Sequence, residues 1–170
     1  VPLRRRAAAH EHRERRQGVA GGARPPGGRL RRGAARLGGR RGYCGAGAEA
    51  EVYTFRSHPG EEPVISGTRG SGTVFFSRCT MRCIYCQNYQ LSHDISGEIT
   101  DVSGLAGMML ALEKRNCHNI ETVTPTPQIP QVMEAFFLAR QRGLRLPMVY
   151  NCGGYENSEV LKKLEGMVDI

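Results

Sequence analysis

Along residues 73–170, short apolar runs alternate with longer segments in which apolar residues recur every three or four positions. The runs at 73–77, 119–124 and 147–150 have the length of buried strands, and 168–170 begins a fourth. The longer segments between them have the period of amphipathic helices. Strands that alternate with helices indicate a parallel sheet with right-handed crossovers, so we expect an α/β fold.

Three helices are predicted in this region. The first is capped by Asp101 or Ser103, and the third by Ser158. The second runs from Pro127 to a stop at Gly143. The positions expected to be buried are Leu105, Met108, Met109 and Leu112 in the first helix, Ile129, Val132, Met133, Phe136 and Phe137 in the second, and Val160, Leu161, Leu164 and Met167 in the third.

Three cysteines, Cys79, Cys83 and Cys86, follow the first predicted strand with the spacing C-x3-C-x2-C. Three thiolates on one short loop can hold three corners of a cubane iron–sulfur cluster. A ferredoxin-type cluster needs a fourth thiolate, and none lies nearby in sequence, so one iron would stay open for catalysis. The alternative metal is zinc, with Cys117 or His118 as fourth ligand, although structural zinc sites ordinarily use paired C-x2–4-C knuckles.

The cysteine loop and its flanks resemble the radical S-adenosylmethionine (radical SAM) enzymes, and within them an uncharacterised branch of the relatives of pyruvate formate-lyase activating enzyme. The resemblance covers about residues 42–170 and includes the segments 60–63, 65–67, 70–77, 86–88, 123–126 and 150–156. It implies the front part of a partial (β/α)6 radical SAM barrel, with the cysteine loop after the first strand. It also implies that Cys79, Cys83 and Cys86 ligate a [4Fe-4S] cluster whose open iron binds S-adenosyl-L-methionine.

The activity that the resemblance implies is reductive cleavage of S-adenosyl-L-methionine to methionine and a 5′-deoxyadenosyl radical, which abstracts hydrogen from a substrate. That substrate is a glycine of a protein, as for the glycyl-radical activases, or another molecule. An electron donor of the flavodoxin or ferredoxin type is the implied partner. The protein itself binds and orients the cofactors and excludes water.

Cofactor-binding residues are expected at the carboxyl ends of the strands, where ligands gather in α/β barrels. Many radical SAM enzymes carry Gly-Gly-Glu after the second strand, but this chain has Thr124 and Thr126 there. Either these threonines replace the motif, or Gly153 and Gly154 do related work one strand later. The plainer alternative is that both segments are loop turns without a ligand.

Five residues in or near these loops have two interpretations each. By the resemblance, Tyr85 packs beside the adenine; otherwise it is an ordinary half-buried aromatic. Asn88 either contacts the ligand or caps the segment after the cluster. Arg78 and Arg82 either tune the cluster potential or face solvent, and Cys152 either faces the substrate or is a small buried hydrophobe.

The basic charge of the chain is confined to residues 1–42. They contain 13 Arg and no Lys, against Glu11 and Glu14, so they carry +11, and the other residues carry −3 to give the net +8. Such an Arg/Gly/Ala-rich segment cannot bury enough apolar surface to fold, so we expect disorder. It is either a purposeful tail or the product of a misassigned start or reading frame. Residues 43–72 are expected to be an irregular N-terminal extension, and 73–170 a truncated radical SAM βα domain.

A zinc- or cluster-stabilised nucleic-acid-binding module that uses the basic tail is the alternative function. It predicts aromatic residues among the arginines for base stacking. Residues 1–42 contain no aromatic residue, so nucleic acid is not the expected partner.

The sequence favours a cytoplasmic protein that is a fragment. No run approaches the ~20 apolar residues of a membrane span, and no apolar signal segment follows the basic N-terminus. Six cysteines without a secretory signal favour a reducing cytoplasm over a disulfide scaffold. Because the last predicted strand is unfinished and the implied barrel has six, we expect further strands to be missing.

Overall fold

A five-stranded mixed sheet with the strand order β3-β1-β2-β4-β5 forms the centre of the fold. This computed structural model describes residues 43–94 and 97–170, so the expectations for residues 1–42 lie outside the described part. The strands are β1 (Ala50–His58), β2 (Ser71–Phe76), β3 (Glu98–Thr100), β4 (Ile120–Val123) and β5 (Met148–Asn151). Strands β2, β4 and β5 are parallel, whereas β1 is antiparallel to β2 and to β3. The α/β class is therefore confirmed, with an open mixed sheet.

Four α-helices accompany the sheet: α1 (Pro63–Ser66), α2 (Val102–Lys114), α3 (Ile129–Gln141) and α4 (Ser158–Leu161). Single 3-10 turns occupy Thr126–Gln128 and Lys162–Leu164, and a π-helical turn occupies Gln90–Asp94. None of the helices in the described ranges is long and apolar enough to cross a membrane.

The main core lies between one face of the parallel strands and the helices α2 and α3. The sheet contributes Val74, Phe76, Ile120 and Met148 to this core, and the helices contribute Leu105, Met109, Leu112, Val132 and Phe136. The opposite face carries a small apolar cluster of Phe75, Leu91 and Val123. Because alternate strand residues point to opposite faces, that second face also holds the polar residues Thr73, Glu121 and Asn151.

The helix predictions are largely right, with three errors, one of which is Leu161 of α4, expected to be buried but 43% exposed. Asp101, one of the two expected caps, accepts a hydrogen bond from the Gly104 amide at 2.7 Å and starts α2. Phe137 is 59% exposed and not buried, because it lies on the solvent side of α3 next to the buried Phe136. The cap of α4 is Asn157, not Ser158.

Residues 43–72 are not the irregular extension that the sequence suggests. They contain β1, which pairs along its length with β2, and the short helix α1. A register shift between Val52 and Thr54 breaks the alternation of apolar and polar residues in β1. That irregularity hides the strand from a search for period two.

The predicted strand at 168–170 is not formed as a strand, although its backbone lies beside β5. The Tyr150 amide donates to the Ile170 carbonyl at 2.8 Å, and the Ile170 amide donates to the Met148 carbonyl at 3.2 Å. These two bonds follow the pattern of a parallel pair, so the segment extends the hydrogen bonding of the sheet past β5.

Candidate functional site

Three loops meet in one cavity of about 150 Å³ at the carboxyl ends of β2, β4 and β5. Because these strands are parallel, the segments that follow them leave the sheet at the same edge. The walls of the cavity come from the loop after β2, the segment 123–127 at the end of β4 and the segment 151–156 at the end of β5. This edge is where ligands gather in parallel α/β folds.

Seven of the nine predicted site residues line this cavity: Cys79, Cys83, Cys86, Asn88, Thr124, Thr126 and Gly153. The other two do not. Tyr85 is 83% exposed and lies outside the lining, so it is not the half-buried aromatic that the sequence suggests. Gly154 has a φ of 75°, which suits a glycine turn, and it also lies outside the lining.

The three thiols suit an iron–sulfur cluster in their chemistry and in their shared location. All six cysteines of the chain are free, and Cys79, Cys83 and Cys86 are each partly buried at the cavity. Among residues 43–94 and 97–170, no three His, Cys, Asp or Glu side chains stand close enough together to hold a metal ion. Ligation therefore requires the three thiols to lie closer together than they do here. Their residue type and their place on one loop suit a cluster held by three thiolates.

The cysteine loop is anchored on both sides of Cys79. Arg78 has a left-handed φ of 75°, and its Nε atom pairs with Glu51 Oε2 of β1 at 2.7 Å. Arg82 also has a left-handed φ, of 46°, and its guanidinium lies 5.6 Å from the centre of the Tyr43 ring. Arg78 is therefore half-buried in an ion pair, and the interpretation that it simply faces solvent is wrong.

A buried glutamine holds the strand end from which the loop departs. Gln128 is 1% exposed, and its Oε1 atom accepts from the Glu51 amide at 2.7 Å. Its Nε2 atom donates to the Ser77 carbonyl at 2.8 Å. These two bonds join β1 to the end of β2, one residue before Arg78.

The cysteine loop and the segment after β5 touch at Gly153. A Cβ atom at this glycine would collide with the Met81 sulfur. A side chain at position 153 would therefore require the flexible Met81 side chain, which is 39% exposed, to move aside. The glycine leaves room for this contact between the two segments.

Thr124 ties the ends of the three parallel strands together. Its φ of 57° is uncommon for a β-branched residue. Its hydroxyl lies 2.9 Å from the Phe76 carbonyl and 2.7 Å from the Val123 carbonyl, and its amide donates to the Asn151 carbonyl at 3.1 Å. The main role of Thr124 at the cavity wall is therefore to link the backbones of neighbouring strand ends.

A small polar network surrounds Glu156, which lines the cavity. The Thr126 hydroxyl donates to Glu156 Oε1 at 2.5 Å. Burial raises the pKa of the Cys152 thiol, and the hydrogen bond to Glu156 raises it further, against the lowering effect of the Gly154 backbone. Burial also raises the pKa of Tyr150, and the nearby Thr126 side chain opposes that rise.

Glu121 and Asn151 are the important residues that the sequence did not reveal. Glu121 is 0% exposed in the middle of β4, and its carboxylate accepts from the Asn151 side-chain amide at 2.9 Å. A charged residue in a strand predicted to be buried on both faces was the available signal. Such a residue requires hydrogen-bond partners.

The fourth zinc ligands proposed from the sequence are not at the cavity. Cys117 is 1% exposed in the main core, and it precedes β4 at the opposite end of the sheet. The Nδ1 atom of His118 lies 3.1 Å from the guanidinium of Arg69. Cys152 is instead the fourth thiol that lines the cavity.

The chain is similar to the uncharacterized protein MJ0674 of Methanocaldococcus jannaschii, with 27% identity over 138 residues. The match covers 76% of this chain and 39% of that protein, so the chain spans about two fifths of the relative's length. No family model and no solved structure matches the chain.

Proposed function

We propose that the chain is the cluster-binding front part of a radical SAM enzyme related to the glycyl-radical activases. Cys79, Cys83 and Cys86 would hold its [4Fe-4S] cluster. The observation that carries the proposal is that these three thiols from one loop line a single cavity at the carboxyl ends of three parallel strands. The alternation of the parallel strands β2, β4 and β5 with the helices α2 and α3, with the short strand β3 before α2, also supports the proposal.

When bound, a reduced cluster with one open iron supplies the electron that cleaves S-adenosyl-L-methionine to methionine and a 5′-deoxyadenosyl radical. The residues of the chain bind and orient the cofactors, and they exclude water. The thiolates are the soft ligands that iron–sulfur clusters require. Asn88 and Thr126 border the space that remains for the ligand. The electron donor, of flavodoxin or ferredoxin type, and the substrate come from outside this chain.

The charges around the cavity support a cationic ligand such as the sulfonium of S-adenosyl-L-methionine. Glu156 lines the cavity, and none of the described lining residues is Lys, Arg or His. Glu121 lies two residues before Val123, which lines the cavity, on the same face of β4. A site with carboxylates and no cations favours positive charge on the bound molecule.

A closed four-cysteine metal site is the second candidate, because Cys152 lines the same cavity as the other three thiols. Four thiolates around one ion are the usual ligands of structural zinc. This candidate predicts that Cys152 is as necessary for metal binding as the other three cysteines.

Metal analysis of the anaerobically purified and reconstituted chain separates the two candidates. The radical SAM proposal predicts about four irons and four sulfides per chain. Cys79→Ala, Cys83→Ala or Cys86→Ala should each abolish the cluster, whereas Cys152→Ala should retain it. Cys44→Ala and Cys117→Ala are matched controls, because both cysteines are buried away from the cavity. Zinc in place of iron, lost in Cys152→Ala, would refute the proposal.

A further inference from the structure

A hydrogen-bonded row of polar side chains crosses the three parallel strands beneath the cavity. Thr73 of β2 stands opposite Glu121 of β4, and its hydroxyl donates to Glu121 Oε2 at 2.9 Å. The other carboxylate oxygen, Oε1, accepts from Asn151 Nδ2 of β5 at 2.9 Å. Thr73 and Glu121 are both 0% exposed. Each carboxylate oxygen therefore has one donor in a buried setting.

Glu121 has no cationic partner among the described residues. A buried carboxylate is costly to maintain unless its oxygens are hydrogen-bonded. The hydroxyl and the amide provide those bonds. The row thus places the Glu121 side chain directly behind Asn151, the residue that reaches the cavity.

The carboxylate fixes which end of the Asn151 amide faces the cavity. An amide side chain has a donor end and an acceptor end, whereas a carboxylate only accepts. Because Asn151 Nδ2 is held by Glu121, its Oδ1 atom is turned away from Glu121. Asn151 lines the cavity, so that acceptor oxygen is presented to a bound molecule.

We propose that Asn151 Oδ1 is a specificity-determining acceptor for an N–H group of a cationic ligand, and that Glu121 is the positioning residue that holds it. The choice of S-adenosyl-L-methionine as probe rests on the proposed function. The requirement that the bound molecule present a hydrogen-bond donor to Asn151 Oδ1 follows from the hydrogen bonds of the row. Without Glu121, the amide could turn over and present its N–H groups, which would repel the same donor.

Exchanging the two polar groups tests this arrangement. Asn151→Asp sets two carboxylates against each other and removes the donor to Glu121. Adding Glu121→Gln restores a hydrogen bond between the two positions with the donor and acceptor exchanged. The amide introduced at position 121 can donate to the carboxylate introduced at position 151. The second oxygen of that carboxylate then faces the cavity as an acceptor. Asn151→Leu removes both the acceptor at the cavity and the donor to Glu121.

The measurement is equilibrium binding of S-adenosyl-L-methionine to the reconstituted full chain, together with thermal melting of each variant. We expect Asn151→Leu to weaken binding by about tenfold, the loss of one hydrogen bond. Asn151→Asp should weaken binding and lower the melting temperature. The double variant, Asn151→Asp with Glu121→Gln, should restore both. If the row is only structural, the double variant should recover the melting temperature. In that case Asn151→Leu should bind S-adenosyl-L-methionine as tightly as the wild type.

The outcomes separate this inference from the proposed function. Wild-type affinity in Asn151→Leu, or no recovery of binding in a double variant that melts normally, overturns the inference alone. If the wild-type chain carries a cluster but binds no S-adenosyl-L-methionine, the inference and the radical SAM proposal both fail. If no cluster assembles and no S-adenosyl-L-methionine binds, both fail at the earlier step.

Discussion

Arg78 and Glu51 form a 2.7 Å ion pair that ties the residue before Cys79 to strand β1. The two side chains are only 15% and 12% exposed. The start of the cysteine loop is therefore held by a strand that lies about 27 residues earlier in the chain. The position of Cys79 depends on β1 as well as on the loop's own sequence.

Breaking this pair should loosen the cysteine loop. We expect Glu51→Gln or Arg78→Ala to lower the free energy of unfolding by about 1.5–3 kcal/mol, the range for hydrogen bonds to charged groups. The yield of reconstituted cluster should fall as well. Urea unfolding and iron analysis measure the two effects.

The exposed pair between Lys162 and Glu159 provides the control for this prediction. Its side chains are 68% and 72% exposed, so Glu159→Gln should change stability by less than about 1 kcal/mol. An Arg78→Ala chain as stable as the control, with full cluster content, would show that the ion pair does not position the loop.

Thr124 offers a test of the link between the strand ends. Thr124→Val keeps the β-branch in the left-handed backbone but removes the hydroxyl that reaches the Phe76 carbonyl. We expect it to lower the free energy of unfolding by about 1–3 kcal/mol, because an acceptor loses its donor. Thr124→Ser keeps the hydroxyl and removes the branch, so its stability should match or exceed that of the wild type. Equal stability of the valine and serine variants in urea unfolding would contradict the link.

Cys152 should react slowly with iodoacetamide although it is exposed. Its raised pKa keeps the thiol protonated near pH 7, and the thiolate is the reacting form. Because the Glu156 carboxylate contributes to that rise, Glu156→Gln should lower the pKa and move the labelling profile to lower pH. Mass spectrometry of the metal-free chain measures the rate. Glu159→Gln should leave the rate unchanged, and an unchanged rate in Glu156→Gln would count against the role of Glu156.

The strands and helices around the site could be predicted because they are local and periodic. The three parallel strands and the stripe at Leu105, Met109 and Leu112 follow directly from runs and spacing. Strand β1 could not be predicted in this way, because its irregular pairing with β2 removes the alternation. Strand β1 contributes to the site through contacts of Glu51 with Arg78 and Gln128, which are distant in sequence.

The cysteines and the loop threonines were found from the sequence, whereas the buried polar partners were not. Spacing identifies residues that lie together on one segment, such as Cys79, Cys83 and Cys86, and these do line one cavity. The buried polar residues make hydrogen bonds to partners on other segments, and the pattern of residues along the chain does not show those pairings. They are Glu121, Asn151 and Gln128. Tyr85 shows the converse case, since its place beside Cys86 in sequence does not bring its ring to the cavity.

The central claim is that three thiolates leave one iron of a cubane cluster open to S-adenosyl-L-methionine. Mössbauer spectroscopy of the chain reconstituted with ⁵⁷Fe tests it most directly. The account predicts a [4Fe-4S] spectrum in which one of about four irons shifts when S-adenosyl-L-methionine is added, and the same response in Cys152→Ala. A chain that binds zinc, or a cluster in which no iron responds to S-adenosyl-L-methionine, would contradict the account.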